Sequence, residues 1–232
     1  MAQRPAVAGL VLAAGRGERL GQGVSKAFVS LAGRTLIEWS IRALAASKQV
    51  DRIVPIVAER DLEAFKALEI LLADVSELAP VVIGGVERQD SMRAGLASLP
   101  ATIGLVAVHD AARCLVDPSD VERVIEVARA IGAAILGAPV SDTLKRVEHG
   151  RIVETPDRKA YWAAQTPQVF RRDWLEAALN AAVTAGRIAT DDASLVEASG
   201  HEVALVEVRH PNPKITQKPR LVLQHSLPPM PP

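Results

Sequence analysis

The sequence predicts an α/β fold of Rossmann-like type: a mostly parallel sheet with helices on both faces, plus a β-hairpin arm projecting from it. Three observations carry this. Short apolar runs of strand length alternate with segments whose apolar residues recur at helical spacing, in the order β, α, β, α, β. The first run, Val7 to Leu12, passes straight into a glycine-rich basic loop, as a buried central parallel strand does at its carboxyl end. Further on, Leu144, Val147, Ile152 and Val153 flank a His149-Gly150 turn, the pattern of a hairpin.

The elements follow in order. Thr35 is placed to cap a helix with Ile37, Ile41 and Leu44 on one face, and Arg52 to Val57 reads as the second strand. Asp61 to Leu72 is helical through Leu62, Phe65, Leu68 and Leu72, and Pro80 to Ile83 makes a third short strand. Gly84-Gly85 then leads into a helix with Met92, Leu96 and Leu99 on its apolar side, followed by a fourth strand at Leu105 to Val108. Asp117 and Pro118 open a helix that runs to Ile131 and stops at Gly132. A fifth strand, Ala133 to Val140, feeds the arm, which returns through a strand at Gln165 to Phe170. Arg172 to Ala185 is helical, Thr190-Asp191-Asp192 caps a short helix, and Glu202 to Val208 is the last strand. A chain of 232 residues suits one domain, expected over 1–225 with the arm at about 141–162 and a disordered proline-rich tail at 226–232.

Composition narrows the function. Lys plus Arg (27) balances Asp plus Glu (27), so no overall field draws in nucleic acid or an anionic membrane, and any anion site must be local. Three Trp, three Phe and one Tyr leave little for base-stacking platforms, and Trp39, Tyr161, Trp162 and Trp174 read as core or interface residues. The single Cys114 excludes an internal disulfide and fits a reducing, cytoplasmic setting. No stretch has the length of a membrane span. An isolated hairpin is only marginally stable in water, so the arm is expected to pack on a partner subunit, which makes the chain a homodimer.

Local chemistry gathers at strand ends. Gly15 and Gly17 remove side chains where main-chain amides can approach anionic oxygens, and Arg19 and Lys26 add a guanidinium and an ammonium. The spacing fits neither the P-loop nor the dinucleotide fingerprint, and a plain glycine turn with two solvated cations is the alternative. Gly84 and Gly85 allow main chain to lie against a flat ring, with the Ser91 hydroxyl nearby; a tight strand-to-helix turn is the alternative. Asp110, at the end of the fourth strand, is the candidate ligand for a Mg²⁺ ion, which takes one or two carboxylates together with phosphate oxygens. Equally, Asp110 could cap a turn, His109 could be a satisfied core histidine, and Arg113 could pair with Asp117.

The pattern Leu12-Ala13-Ala14-Gly15-x-Gly17-x-Arg19-Leu20 with Lys26 resembles the signature loop of sugar-phosphate nucleotidyltransferases. With it, in one order, stand GGxxRxxS (Gly84 to Ser91), HDAAR (His109 to Arg113), APVxDTxK (Ala138 to Lys145), Asp157-Arg158, TPQ (Thr166 to Gln168), TDDAS (Thr190 to Ser194) and NxKIT (Asn212 to Thr216). Together they are similar to the 2-C-methyl-D-erythritol 4-phosphate cytidylyltransferase family. The resemblance implies a nucleotidyltransferase-type sheet and transfer of a cytidylyl group from CTP to methylerythritol phosphate with loss of pyrophosphate. It implies that Arg19, Lys26, Arg158 and Lys214 are the catalytic cations. Ala13, Ala14, Gly15, Gly17, Gly84, Gly85, Ser91 and Asp110 would bind the nucleotide, with Mg²⁺ on Asp110. Arg113, Thr143, Arg158, Thr166, Thr190 and Lys214 would hold the acceptor phosphate. Ser25 and Cys114 stand where the family has proline, and Gln217-Lys218-Pro219-Arg220 replaces its acidic helical ending. Two other readings are ribitol 5-phosphate as acceptor and a nucleotide-binding protein without turnover.

Overall fold

The computed structural model describes residues 4–15, 25–187 and 189–216. Its strands and helices are β1 (Ala6–Leu12), β2 (Ser30–Leu31), β3 (Arg34–Thr35), α1 (Leu36–Ala46), β4 (Arg52–Val57), α2 (Leu62–Leu71), β5 (Val82–Ile83), α3 (Arg88–Ala97), β6 (Ile103–Asp110) and α4 (Pro118–Ile131). There follow β7 (Ala133–Pro139), β8 (Arg146–Glu148), β9 (Arg151–Glu154), β10 (Trp162–Arg171), α5 (Arg172–Thr184), α6 (Asp192–Ala198) and β11 (Ala204–Glu207).

Seven strands form one sheet in the order β11-β7-β10-β6-β1-β4-β5. All run parallel except β10, which lies antiparallel to both β6 and β7. The expected mostly parallel sheet is therefore present. Side-chain alternation along β1 feeds two cores. Val7 and Val11 pack with Ile37, Ile41 and Leu44 of α1, Phe65 of α2 and Val121, Val124 and Ile125 of α4. On the opposite face Ala8 and Leu10 pack with Met92 and Leu96 of α3, Leu175 and Leu179 of α5, and Leu195 and Val196 of α6.

The caps behave as their residue types require. Thr35 accepts a hydrogen bond from the Glu38 amide at the start of α1, and Asp117 accepts from the Ser119 amide at the start of α4. Gly132 ends α4 in the left-handed region at φ 101°. The third strand is shorter than expected, Val82–Ile83 alone, although the Gly84 amide still donates to the Val57 carbonyl at 2.8 Å. The fourth is longer, reaching Asp110. The small β2–β3 hairpin across Ala32-Gly33 has no counterpart among the expected elements. The arm is present as a separate two-stranded sheet, β8–β9, turning at His149 and Gly150 with φ 48° and 76°. No described helix is long and apolar enough to cross a membrane. The tail at 226–232 and the Gln217–Arg220 ending lie outside the described residues.

Candidate active site

A parallel sheet opens its crevice at the carboxyl ends of its strands, and here β1, β5 and β6 deliver their following loops to one edge. The Ala13 amide donates to the Ile56 carbonyl at 2.8 Å and the Ala111 amide to the Leu12 carbonyl at 3.1 Å, so the loops after β1 and β6 leave the sheet from fixed points. Ala13-Ala14 and Gly84 touch across this edge. A Cβ on Gly84 would lie 2.6 Å from the Ala14 Cβ and 2.6 Å from the Ser91 Oγ, so the glycine is needed for the approach. Gly15 is exposed, and among the described residues a Cβ there meets nothing within 4 Å. Gly17 and Arg19 lie outside the described residues. Lys26 opens a short turn, Lys26–Phe28, directly behind the loop.

Asp110 sits between two cations. Lys214 Nζ is 2.7 Å from its Oδ2 and Arg88 Nη2 is 3.5 Å from its Oδ1. Burial alone would raise the Asp110 carboxyl, but Arg88 and Lys214 hold it below the usual carboxylate range. Its backbone amide donates to the Thr166 hydroxyl at 3.0 Å, and that hydroxyl also lies 3.1 Å from His109 Nδ1. His109 is fully buried, which pushes its imidazole down to about 4 and keeps it neutral. It is a buried histidine, as the alternative reading had it, but only partly satisfied: Nδ1 meets the Thr166 hydroxyl, while Nε2 has no partner among the described residues.

Arg113 does not pair with Asp117, whose carboxylate caps α4 and faces His210 at 3.5 Å. Instead its guanidinium donates to the Asn212 carbonyl at 2.8 Å and the Ala164 carbonyl at 3.2 Å. Asn212, buried, donates its side-chain amide to the Thr166 carbonyl at 3.0 Å, and the Ile215 amide donates to the Ala112 carbonyl at 2.8 Å. The segment carrying Lys214 is thus pinned on both sides of the lysine. Thr190 is exposed at the start of α6, whose first turn is fixed by Gln168: its Oε1 accepts from the Asp192 and Ala193 amides at 3.1 and 3.0 Å.

The edge therefore brings together Ala13, Ala14, Gly15, Gly84, Gly85, Ser91, Asp110, Arg113, Thr166 and Lys214. Thr143 and Arg158 stand apart on the arm, where Arg158 bonds the Ser141 carbonyl. Among the described residues no hydrogen bond or ion pair joins either to Asp110 or Lys214 within one chain. Sequence reasoning assigned no part in the site to Arg88, Gln168, Asp192 or Asn212, although each stands inside a motif it quoted; Asp192 was read only as part of a helix cap, which Asp191 supplies. Their position within those motifs was the signal available.

No group of three or more His, Cys, Asp or Glu among the described residues is arranged to hold a metal. With Lys214 on Oδ2 and Arg88 3.5 Å from Oδ1, the single Asp110 carboxylate could still offer a remaining lone pair to Mg²⁺ arriving on a triphosphate, because phosphate oxygens and water supply most of its ligands.

A glycine-lined strand edge facing a cation-flanked carboxylate, on a sheet with one reversed strand, defines a nucleotidyltransferase. The model of the family "2-C-methyl-D-erythritol 4-phosphate cytidylyltransferase" matches residues 7–227, and the chain belongs to that family. It is 41% identical over 211 residues to the enzyme of that name from Pelotomaculum thermopropionicum, covering 90% of this chain and 89% of the relative. It is 37% identical over 219 residues to the one from Bacillus velezensis, covering 94% of each. The crystal structure of the Thermus thermophilus cytidylyltransferase superposes with a TM-score of 0.74 at 33% identity, over 94% of this chain and 97% of that one.

Proposed function

We propose that this chain performs its family's reaction at the β1–β5–β6 edge, with CTP against Ala13–Gly15 and Gly84-Gly85 and the acceptor phosphate on the Lys214 side. The chain is a cytidylyltransferase: it joins CTP and 2-C-methyl-D-erythritol 4-phosphate and releases pyrophosphate, in the non-mevalonate route to isoprenoid precursors. The observation that carries the site assignment is the Asp110–Lys214 pair facing the Gly84–Ala14 contact across one sheet edge.

An oxygen of the acceptor phosphate attacks the α-phosphorus of CTP, the new P–O bond forms, and the bond from that phosphorus to the bridging oxygen of the pyrophosphate breaks. The nucleophile is already an anion, so the protein needs no nucleophile or base of its own; it must position two polyanions and stabilise charge. Lys26 and Arg19 act on the attacked phosphate. Lys214 meets the acceptor phosphate, with Thr190, Thr166 and Arg113 beside it. Asp110 would hold Mg²⁺, which when bound offsets triphosphate charge.

On this reading the arm crosses to a neighbour and brings Thr143 and Arg158 to that subunit's acceptor phosphate, so that the working unit is a homodimer with shared sites. What supports this is the arm's apolar surface, with Val147, Ile152, Val153 and Tyr161 exposed by 54%, 63%, 45% and 47%. The lone, buried Cys114 suits a cytoplasmic enzyme. Pyrophosphate release tests the reading: CTP with methylerythritol phosphate turns over, whereas ATP, or ribitol 5-phosphate as acceptor, does not. Comparable turnover with either substitute would overturn it.

A further inference from the structure

Behind Asp110 lies a chain of alternating charges that the reaction as described does not use. Asp192, wholly buried, pairs with Arg88 through Oδ1, and Arg88 turns its other terminal nitrogen to Asp110, whose second oxygen takes Lys214. The anchor is rigid. Gln168 on β10 fixes the backbone of Asp192 and Ala193 and donates to Asp191 Oδ2 at 3.0 Å. Helix formation does not account for Arg88: it is the first residue of α3, where a cation opposes the helix dipole, and the capping box is made by Glu87 and Asp90 instead. Nor is a closed Arg–Asp strap between α3 and α6 a full account, because a strap has no reason to present its fork to a second carboxylate at the mouth of the site.

The geometry points to Arg88 and Asp192 as positioning residues for the transfer: anchored on Asp192, Arg88 occupies Asp110 Oδ1, confines Lys214 to Oδ2, and so leaves the ammonium directed toward the acceptor phosphate. The inference rests on the placement of Asp110 and Lys214 in the site proposed above. It has an unusual consequence. Arg88 follows the Gly84-Gly85 loop on the nucleotide side, yet its loss is felt at the acceptor. Without it both Asp110 oxygens are open to Lys214, which is drawn off the acceptor.

Two variants separate positioning from propping. Arg88→Lys keeps a cation for Asp192, but a single ammonium cannot face both carboxylates as the guanidinium fork does. Arg88→Met combined with Asp192→Asn removes the half-buried guanidinium and the buried carboxylate together, a change that is often neutral where removal of one partner is strongly destabilising. Both variants should melt within a few degrees of the parent and bind CTP·Mg²⁺, measured by calorimetry without acceptor, within about threefold of the parent, while kcat/KM for the acceptor falls by roughly tenfold to a hundredfold through a raised KM. An Arg88→Lys enzyme within about twofold of the parent in acceptor kcat/KM overturns the inference. So does a loss that falls on CTP affinity or tracks a lowered or collapsed melting transition, which would make the pair a structural prop. Lys214→Ala is the control: if it leaves the acceptor KM unchanged, the site assignment itself fails, and if it raises that KM while Arg88→Lys does not, only the positioning role fails.

Discussion

Gly84 and Gly15 lie at the same sheet edge, and a methyl group added at each has opposite consequences. At Gly84 the new Cβ would stand 2.6 Å from the Ala14 Cβ, 2.6 Å from the Ser91 Oγ and 3.1 Å from the Ile56 Cγ2. Carbon atoms rest about 3.5–4.0 Å apart, so the Ala14 loop must move by about 1 Å. Overpacking of this kind costs about 1–3 kcal/mol, which for a chain of this size lowers the melting temperature by about 2–12 °C. At Gly15 the Cβ meets none of the described residues within 4 Å, and the backbone there is not left-handed. Gly15→Ala should leave stability unchanged or raise it by up to about 1 kcal/mol through the unfolded chain. An effect of that methyl on nucleotide binding that leaves the melting transition unchanged then points to contact with the nucleotide. If it crowds the triphosphate by the same 1–3 kcal/mol, CTP affinity falls by about 5- to 150-fold. Scanning calorimetry and CTP titration of the two variants read both quantities. A Gly15→Ala protein that binds CTP like the parent would remove this loop from the polyphosphate site, and a Gly84→Ala protein that melts like the parent would refute the close contact.

Three further outcomes are expected. Ser25 has φ −58°, an angle proline adopts unaided, and its buried hydroxyl has no partner among the described residues, so Ser25→Pro should raise stability by about 0.4–1 kcal/mol, a gain of about 1–4 °C in a melting scan; a fall in melting temperature would show that the loop needs the Ser25 amide. Burial pushes the Cys114 thiol from 9.0 up to about 11, so its neutral form stabilises the fold below the unfolded value and this is lost as pH climbs toward 11; at pH 8 a disulfide reagent should label the native protein only after denaturant is added, and prompt labelling would contradict it. Refolding Lys26→Ala and Arg158→Ala chains together should restore roughly a quarter of parental activity, because half the dimers are mixed and each mixed dimer has one site free of both lesions; no recovery would mean that Arg158 serves its own subunit.

The parts of the fold legible in sequence are those with a local cause. Thr35, Asp117-Pro118 and Gly132 announce helix ends through their own backbone chemistry, and His149-Gly150 announces the arm because both residues enter the left-handed region. The reversed direction of β10 has no such cause. Val169 and Phe170 are buried on both faces of a central strand, and an apolar run of that kind reads the same in either direction. The strand runs antiparallel because the chain leaves the sheet after β7, makes the arm, and re-enters at the same end, Trp162 pairing with Pro139, a path set by the arm rather than by the strand.

The site divides in the same way. Glycines and cations at strand ends were visible one motif at a time, since the sheet rule alone sends those ends to one edge. The pairings were not visible, because they join residues far apart in sequence: Arg88 and Asp192 are separated by 104 positions, and no periodicity or cap connects them. Arg88 shows why a motif can be quoted correctly and still be underread. As a letter in GGxxRxxS it passes for a solvated residue at a helix start. Only the fold shows that the helix gains nothing from a cation there, and that two carboxylates from other elements, one sealed in the core and one at the mouth of the site, are what hold it. A local misfit with a distant compensation is the pattern expected of a residue kept for the site rather than for the helix that carries it.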